Sequence, residues 1–340
     1  MESLNKPIIG ITMGDPAGSG PELVIKALDK GNLWQNAVFV IIGDLKVLKK
    51  ARDIVQAKDL KFNKINNPSE AVDEPRVVNV IDLDNVDLSK LVYGKPSALG
   101  GRASYEYISE AVKYAMANEI QAIVTAPISK ESLKLAGYPY PGHTEILATL
   151  TGAKNVRMML VGENLRVVHV TTHVSLKDAI ELIKKDRILD TIEITYESLT
   201  KLFNIDSPKI AVAGLNPHAG ENGLFGNEEI DEIIPAIKAA QAKGINALGP
   251  YPPDTVFYRA YHKGEFDAVI AMYHDQGHIP LKIVAFMEGV NVTLGLPIIR
   301  TSPDHGTVWG KAGTGTANEK ATIEAIRLAI EFSRTRQSQS

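Results

Sequence analysis

Eight histidines are spread along the chain, and most lie where chemistry is possible. Seven of them stand in Pro-Gly-His143-Thr-Glu, His169-Val-Thr-Thr-His173, Asn-Pro-His218-Ala-Gly, Tyr-His274-Asp-Gln-Gly-His278 and Asp-His305-Gly. A single histidine in such a setting can be a satisfied polar group. Several at strand ends, with acids and amides beside them, read as a site. Imidazole is a common ligand for divalent metals, and three can hold one ion while leaving positions open. An ion so held would polarise a carbinol oxygen and favour its deprotonation. The histidines are far apart in sequence and no HExxH-type motif joins them, so spacing alone does not establish a metal.

A second set is cationic and polar. Lys282 and Asn291 punctuate the largely apolar stretch 279–299, and Arg300 directly follows it. Cations in such surroundings are costly to bury without an anionic partner. Arg300 could fork onto a carboxylate or phosphate, and Lys282 could carry a point charge or a proton. An internal salt bridge to Asp275 or Asp304 is the bland alternative. Glu145 and Asp254 are acids of the same general interest. The segment Gly14-Asp-Pro-Ala-Gly-Ser-Gly-Pro-Glu22 follows an apolar run and opens a helical pattern, with proline suited to the first helical turn. It matches neither GxGxxG nor GxxxxGK[ST], so it reads as a structural turn lining a cleft.

These residues need a scaffold, and the chain supplies an ordinary globular one. Its 340 residues are 44% hydrophobic and 23% charged, enough for one large domain or two closely joined ones. The formal net charge of −3 argues against a nucleic-acid or membrane partner. Cysteine is absent, which excludes disulfides, thiolate catalysis and cysteine-ligated metals. The start MESLNKPIIG lacks the pattern of a signal peptide, and no apolar run approaches the ~20 residues of a membrane span. A cytoplasmic protein is the expectation.

Short apolar runs predict strands at 8–13, 37–42, 77–81, 122–125, 167–170, 210–213 and 268–271. Their Val and Ile content suits a mostly parallel sheet. Helical patterns lie between them at 21–29, 101–116, 176–202 and 228–243, with a last one at 316–334. Strands alternating with helices predict an α/β architecture. The stretch 57–75 reads as an irregular surface excursion, and 334–340 as a frayed tail. Glycine- and proline-rich junctions at 125–127, 137–142, 216–226 and 249–254 read as active-site loops.

Taken together, ITMGDPAGSGPE, TAPISKESLKLAG, PGHTE, NPHAGENGLFGNEE, PPDTVF, YHDQG and GLPIIRTSPDHGT with GTGTAN resemble the PdxA family of 4-hydroxythreonine-4-phosphate dehydrogenases, nearly end to end. The resemblance implies a two-domain α/β/α fold, isocitrate/isopropylmalate dehydrogenase-like, with the active site in the interdomain cleft. A terminal domain of residues 1–127 plus 275–340 would carry the NAD loop. A central domain, 128–274, would carry the metal ligands and the contacts of a homodimer. Carried over position by position, the metal ligands are His173, His218 and His274, one of them lent by the partner chain. Substrate contacts are His143, Thr144, Lys282, Asn291 and Arg300. The NAD loop would use Asp304, His305, Gly306, Gly313, Gly315 and Asn318. Lys282 and Asp254 are the candidate bases.

The implied reaction is NAD-dependent oxidation and decarboxylation of a small 4-phosphorylated hydroxy acid, aided by one divalent ion (zinc, magnesium, manganese or cobalt). One branch of the family acts on 4-phosphohydroxy-L-threonine, on the way to pyridoxal phosphate. Another resembles a sugar-acid branch acting on D-threonate or D-erythronate 4-phosphate, yielding dihydroxyacetone phosphate. YPGHTEILATLT and the His278 of YHDQGHIPLK resemble the second branch. A metal-binding scaffold without catalysis is the non-enzyme alternative.

Overall fold

A computed structural model describes residues 6–339. The reading of the N-terminal MESLN, and Ser340, lie outside the described residues. The chain divides into two compact units, the first made of residues 6–154 and 296–338 and the second of 155–295.

The first unit begins with β1 (Ile8–Thr12), α1 (Gly20–Lys30), β2 (Val38–Gly43), α2 (Leu45–Ile54), β3 (Lys61–Ile65), β4 (Val77–Asp82), α3 (Ala98–Met116), β5 (Ala122–Thr125), α4 (Lys130–Leu135) and α5 (His143–Thr151). The second follows with β6 (Arg157–Gly162), β7 (Leu165–His169), α6 (Leu176–Leu182), α7 (Lys185–Lys201), β8 (Ile210–Ala213), α8 (Ile234–Ala242), β9 (Ala247–Tyr251), α9 (Pro253–Lys263), β10 (Ala268–Ala271), α10 (His274–Ala285) and β11 (Val290–Leu294). The chain then returns to the first unit for β12 (Ile299–Pro303) and α11 (Lys320–Gln339).

In the first unit the strand order is β3-β4-β2-β1-β5-β12, and β3 with β4, β4 with β2, β2 with β1, β1 with β5 and β5 with β12 all pair in parallel. Its central strands are buried on both faces, which is why they read as unbroken apolar runs. In the second unit the order is β11-β6-β7-β10-β8-β9. There β11 and β6, and β6 and β7, run antiparallel, while β7, β10, β8 and β9 are parallel.

The expected α/β class is borne out. The joins fall at 154/155 and 295/296, whereas the sequence expectation put them at 127/128 and 274/275. Packing moves them: α4 and α5 lie on α3 of the first unit, and α10 lies on β6 and β7 of the second. The excursion expected at 57–75 contains β3, an edge strand paired with β4. Its KFNKI sequence, with charged side chains toward solvent, suits an edge and hid the strand. The single helix expected at 176–202 is broken where Ile183 and Lys184 turn extended. The expected frayed tail belongs to α11, which is helical through Gln339.

One contact in the first unit tolerates no side chain. A Cβ placed on Gly101 of α3 would lie 1.9 Å from the Ser132 carbonyl oxygen of α4. Backbone faces backbone there, so relief requires moving a whole helix. Gly101→Ala is therefore expected to lower unfolding stability by about 3 kcal/mol, at the upper end of overpacking effects. A denaturant titration checks this, and a variant as stable as wild type would mean that α3 and α4 separate at no cost.

Candidate active site

The second unit gathers the histidines by strand topology. Strand β7 ends at His169, β10 at Ala271 and β8 at Ala213, and the three lie side by side and parallel in the order β7-β10-β8. Each loop leaving these ends carries one of the expected metal ligands: His173 after β7, His274 after β10 and His218 after β8. Carboxyl ends of parallel strands are where α/β proteins bind ligands. The first two loops are tied together. Val170 N–H donates to the Ala271 carbonyl at 2.8 Å, and the Thr171 hydroxyl to the Met272 carbonyl at 2.8 Å. The His173 and His274 rings stand 5.7 Å apart, centroid to centroid.

His274 opens α10, and its Nδ1 lies 2.7 Å from an Asp275 carboxylate oxygen. A carboxylate at Nδ1 holds the proton there and leaves Nε2 as the free donor, the usual arrangement behind a metal-bound imidazole. The sequence reading weighed Asp275 only as an ion-pair partner for Lys282 or Arg300, although its place beside His274 in Tyr-His-Asp-Gln-Gly signalled this contact. Beneath His274 the His278 ring stacks at 3.6 Å and 11°, and His278 Nδ1 lies 3.1 Å from Nε2 of the buried His169. Burial first, and then the His278 and His274 charges, pull the His169 pKa down to about 3. It is a neutral support rather than a titrating group at pH 7.

His218 is held differently. Residues 218–222 all have positive φ, from 43° to 77°. This left-handed turn is strained at its non-glycine positions. The carboxylate of Glu229, 2% exposed, fastens it by accepting the Leu215 and Asn216 amides, both at 2.8 Å. Glu229 begins a π-turn at 229–233, a local distortion often found beside functional sites.

Two cavities flank the segment Tyr273–Asp275. One, about 300 Å³, is lined by His173, His274 and Asp275. The other, about 690 Å³, is lined by His218, Asp254, Tyr258, Asp275 and Ile283 among others. Asp254 sits in the first turn of α9 and is exposed. Lys282 lies on α10, half-buried, with its ammonium 5.6 Å from the Phe286 ring. Asn291 is on β11, and its Oδ1 is buried with no hydrogen-bond partner among the described residues.

The imidazoles suit a divalent ion as donors. Among the described residues, however, no group of three or more His, Cys, Asp or Glu side chains is arranged to hold one. A single chain brings His173 and His274 to one cavity and His218 to the other.

The first unit holds the anion-seeking residues. Arg300, on β12, is 2% exposed, and its guanidinium donates to the Thr125 hydroxyl at 2.7 and 3.1 Å. Burial draws its pKa down to about 9, the charge of Glu145 opposing, so it is a dehydrated cation at neutral pH. Asp275, one proposed internal partner, faces His274 instead. His143 and Thr144 form the first turn of α5. Burial, and next the Arg300 charge, hold the His143 imidazole well below the usual histidine range. Its Nε2 is buried with no hydrogen-bond partner among the described residues. A neutral imidazole, a guanidinium and a helix N-terminus together favour an anion. Asp304, His305, Gly306, Gly313, Gly315 and Asn318 also lie in this unit, in the loop between β12 and α11. Nε2 of His305 is buried there without a hydrogen-bond partner among the described residues, an open donor or acceptor for a ligand.

Comparison with known proteins decides the family. The family described as pyridoxal phosphate biosynthetic protein PdxA matches residues 35–329. The chain belongs to the PdxA family. Its relatives include a D-threonate 4-phosphate dehydrogenase of Pectobacterium atrosepticum, 46% identical over 96% of this chain and 99% of that protein. A 4-hydroxythreonine-4-phosphate dehydrogenase of Desulforapulum autotrophicum is 45% identical over 96% of this chain and 95% of that protein. A solved 4-hydroxythreonine-4-phosphate dehydrogenase from Klebsiella pneumoniae superposes with a TM-score of 0.90 at 44% identity, covering 98% of this chain and 99% of that one. As in other PdxA-family proteins named for this activity, the chemistry is that of a dehydrogenase acting on a CH–OH group. No helix among the described residues is long and apolar enough to cross a membrane.

Proposed function

We propose that this chain is an NAD- and divalent-metal-dependent dehydrogenase of D-threonate or D-erythronate 4-phosphate, releasing carbon dioxide and dihydroxyacetone phosphate. The observation that carries it is the placement of His173, His218 and His274 after three adjacent parallel strands. A divalent ion held by these three imidazoles would polarise the carbinol oxygen, and NAD would supply the hydride acceptor. Arg300, His143 and Thr144 take an anionic end of the substrate, and the buried guanidinium gives that contact its strength. Asn291 orients the polar chain of the substrate through its buried amide. Lys282 or Asp254 removes the hydroxyl proton. Oxidation at the carbon β to the carboxylate makes a β-keto acid, which loses carbon dioxide.

The third imidazole comes from a second copy of the chain in this reading. Apolar side chains support that homodimer. Ile279 and Ile283 on α10, Phe286 directly after it and Tyr258 on α9 are 57%, 78%, 68% and 57% exposed. Tyr258, Ile279 and Ile283 line the larger cavity, and exposed apolar side chains of this kind suit a covered surface. The protein works in the cytoplasm in this reading, and its partners are the substrate and its own second copy.

Supplying NAD, a divalent salt and each phosphate ester, then following NADH absorbance, tests the substrate. D-threonate or D-erythronate 4-phosphate should be turned over with a kcat/KM at least about tenfold above 4-phosphohydroxy-L-threonine, roughly the effect of one misplaced polar group. Preference for the amino acid would move the chain to the vitamin branch. In the same assay Lys282→Ala should lower kcat by about a hundredfold or more, the usual contribution of a proton-transfer group. A rise in KM with unchanged kcat would make Lys282 an anchor instead.

A further inference from the structure

The motif Gly14–Glu22 has no part in the chemistry above, yet its last residues reach the loop between β12 and α11. Glu22 is 1% exposed on α1. One carboxylate oxygen accepts the Gly313 amide at 2.5 Å and the other accepts the Gly315 amide at 2.6 Å. One turn further along α1, Lys26 donates to the Gly315 carbonyl at 3.2 Å and to the Ala317 carbonyl, and pairs with Glu319 at 2.8 Å. One turn back, the Ser19 hydroxyl and amide both donate to the Thr307 carbonyl, at 2.7 and 3.0 Å. Positions 19, 22 and 26 share one helix face, and that face grips the loop at 307, 313, 315, 317 and 319.

Gly313 and Gly315 both have positive φ, 77° and 72°, which turns their amides inward to the carboxylate. Those amides are consumed and are not offered to a phosphate, unlike the amides of a glycine-rich phosphate loop. The loop instead presents side chains such as His305, Thr314 and Asn318. Their placement depends on a glycine-rich backbone that would otherwise be costly to order on binding.

We propose that Glu22 is a positioning residue for the dinucleotide: its carboxylate pre-forms the loop at 304–318, with Lys26 and Ser19 fixing its flanks. This rests on the reading that the loop binds NAD. Glu22→Gln keeps the shape but leaves one acceptor oxygen for two amides. NADH titrated into the full-length variant should bind about tenfold more weakly, the weight of one charge-assisted hydrogen bond. KM for NAD should rise in parallel, kcat at saturating NAD should change less than about twofold, and KM for the phosphorylated substrate should hold. Amide exchange at Gly313 and Gly315 should quicken.

An unchanged NADH affinity, or equal losses of NADH and substrate binding, would overturn the proposal. Should Glu22→Gln fail to fold, Lys26→Met carries the test: weaker NADH binding by a folded Lys26→Met supports the clamp, and wild-type affinity refutes it. Asn318→Ala and His305→Ala separate the two layers. If either weakens NADH binding while Glu22→Gln does not, the loop binds NAD and the Glu22 role is wrong. If neither changes NADH binding, the loop reading falls and the Glu22 proposal falls with it.

Discussion

His274→Ala is expected to reduce kcat/KM by about a thousandfold or more, because it removes a ligand from the ion that polarises the substrate, a contribution of several kcal/mol. The fold should hardly notice. The imidazole side chain is 36% exposed and stands at the start of α10 rather than in the core. Thermal unfolding should stay near wild type while tight binding of added cobalt or zinc is lost. His218→Ala should behave alike, although its ring lies in a different loop. Asp275→Asn should weaken the metal by roughly ten- to a hundredfold, since it fixes the tautomer of His274 and does not bind the ion itself. Full turnover in His274→Ala, indifferent to a chelator, would end the metal reading.

Arg300→Met should weaken substrate binding far more than it weakens the fold. The guanidinium is 2% exposed and donates to the Thr125 hydroxyl, with the Glu145 charge acting on it. Losing these buried interactions should lower unfolding stability by about 1–3 kcal/mol. The same change deletes the strongest anion contact, so KM for the phosphorylated substrate should rise about a hundredfold, as expected for a lost charge-assisted pair worth about 3 kcal/mol. Arg300→Lys should recover little, because a point charge does not reproduce the planar fork. Unfolding curves and substrate kinetics on the same preparation decide it. Loss of stability with unchanged KM would make Arg300 a structural residue.

What the sequence revealed follows burial. The strands at 122–125, 210–213 and 268–271 were legible to the residue because both faces are covered and the runs are apolar except for Thr125. β3 was hidden by its charges, and β6 and β11 pair antiparallel, outside the parallel pattern that the apolar runs suggested. α10 was hidden by its own composition. His-Asp-Gln-Gly-His-Ile-Pro looks like a loop, but Pro280 sits inside the helix. Gly277 is there because a side chain would meet His169, with a Cβ only 2.4 Å from its Nε2. Arg300 was visible as a cation stranded in an apolar stretch. The approach of His173 to His274 was not, since it depends on β7 and β10 being neighbours, a pairing across about a hundred residues that no local pattern encodes. The grip of Glu22 on Gly313 has the same origin.

The division of the chain has a bearing on its synthesis. The first unit uses residues 6–154 and then 296–338, with 155–295 between them. A ribosome releases β1 through β5 long before β12 exists, so the β5 edge emerges with its neighbouring strand still unmade. The intervening stretch, contiguous in sequence, can mature while the earlier strands wait. Nascent chains arrested before β12 should therefore protect the middle stretch from protease before they protect the beginning, the reverse of the order in which they were made.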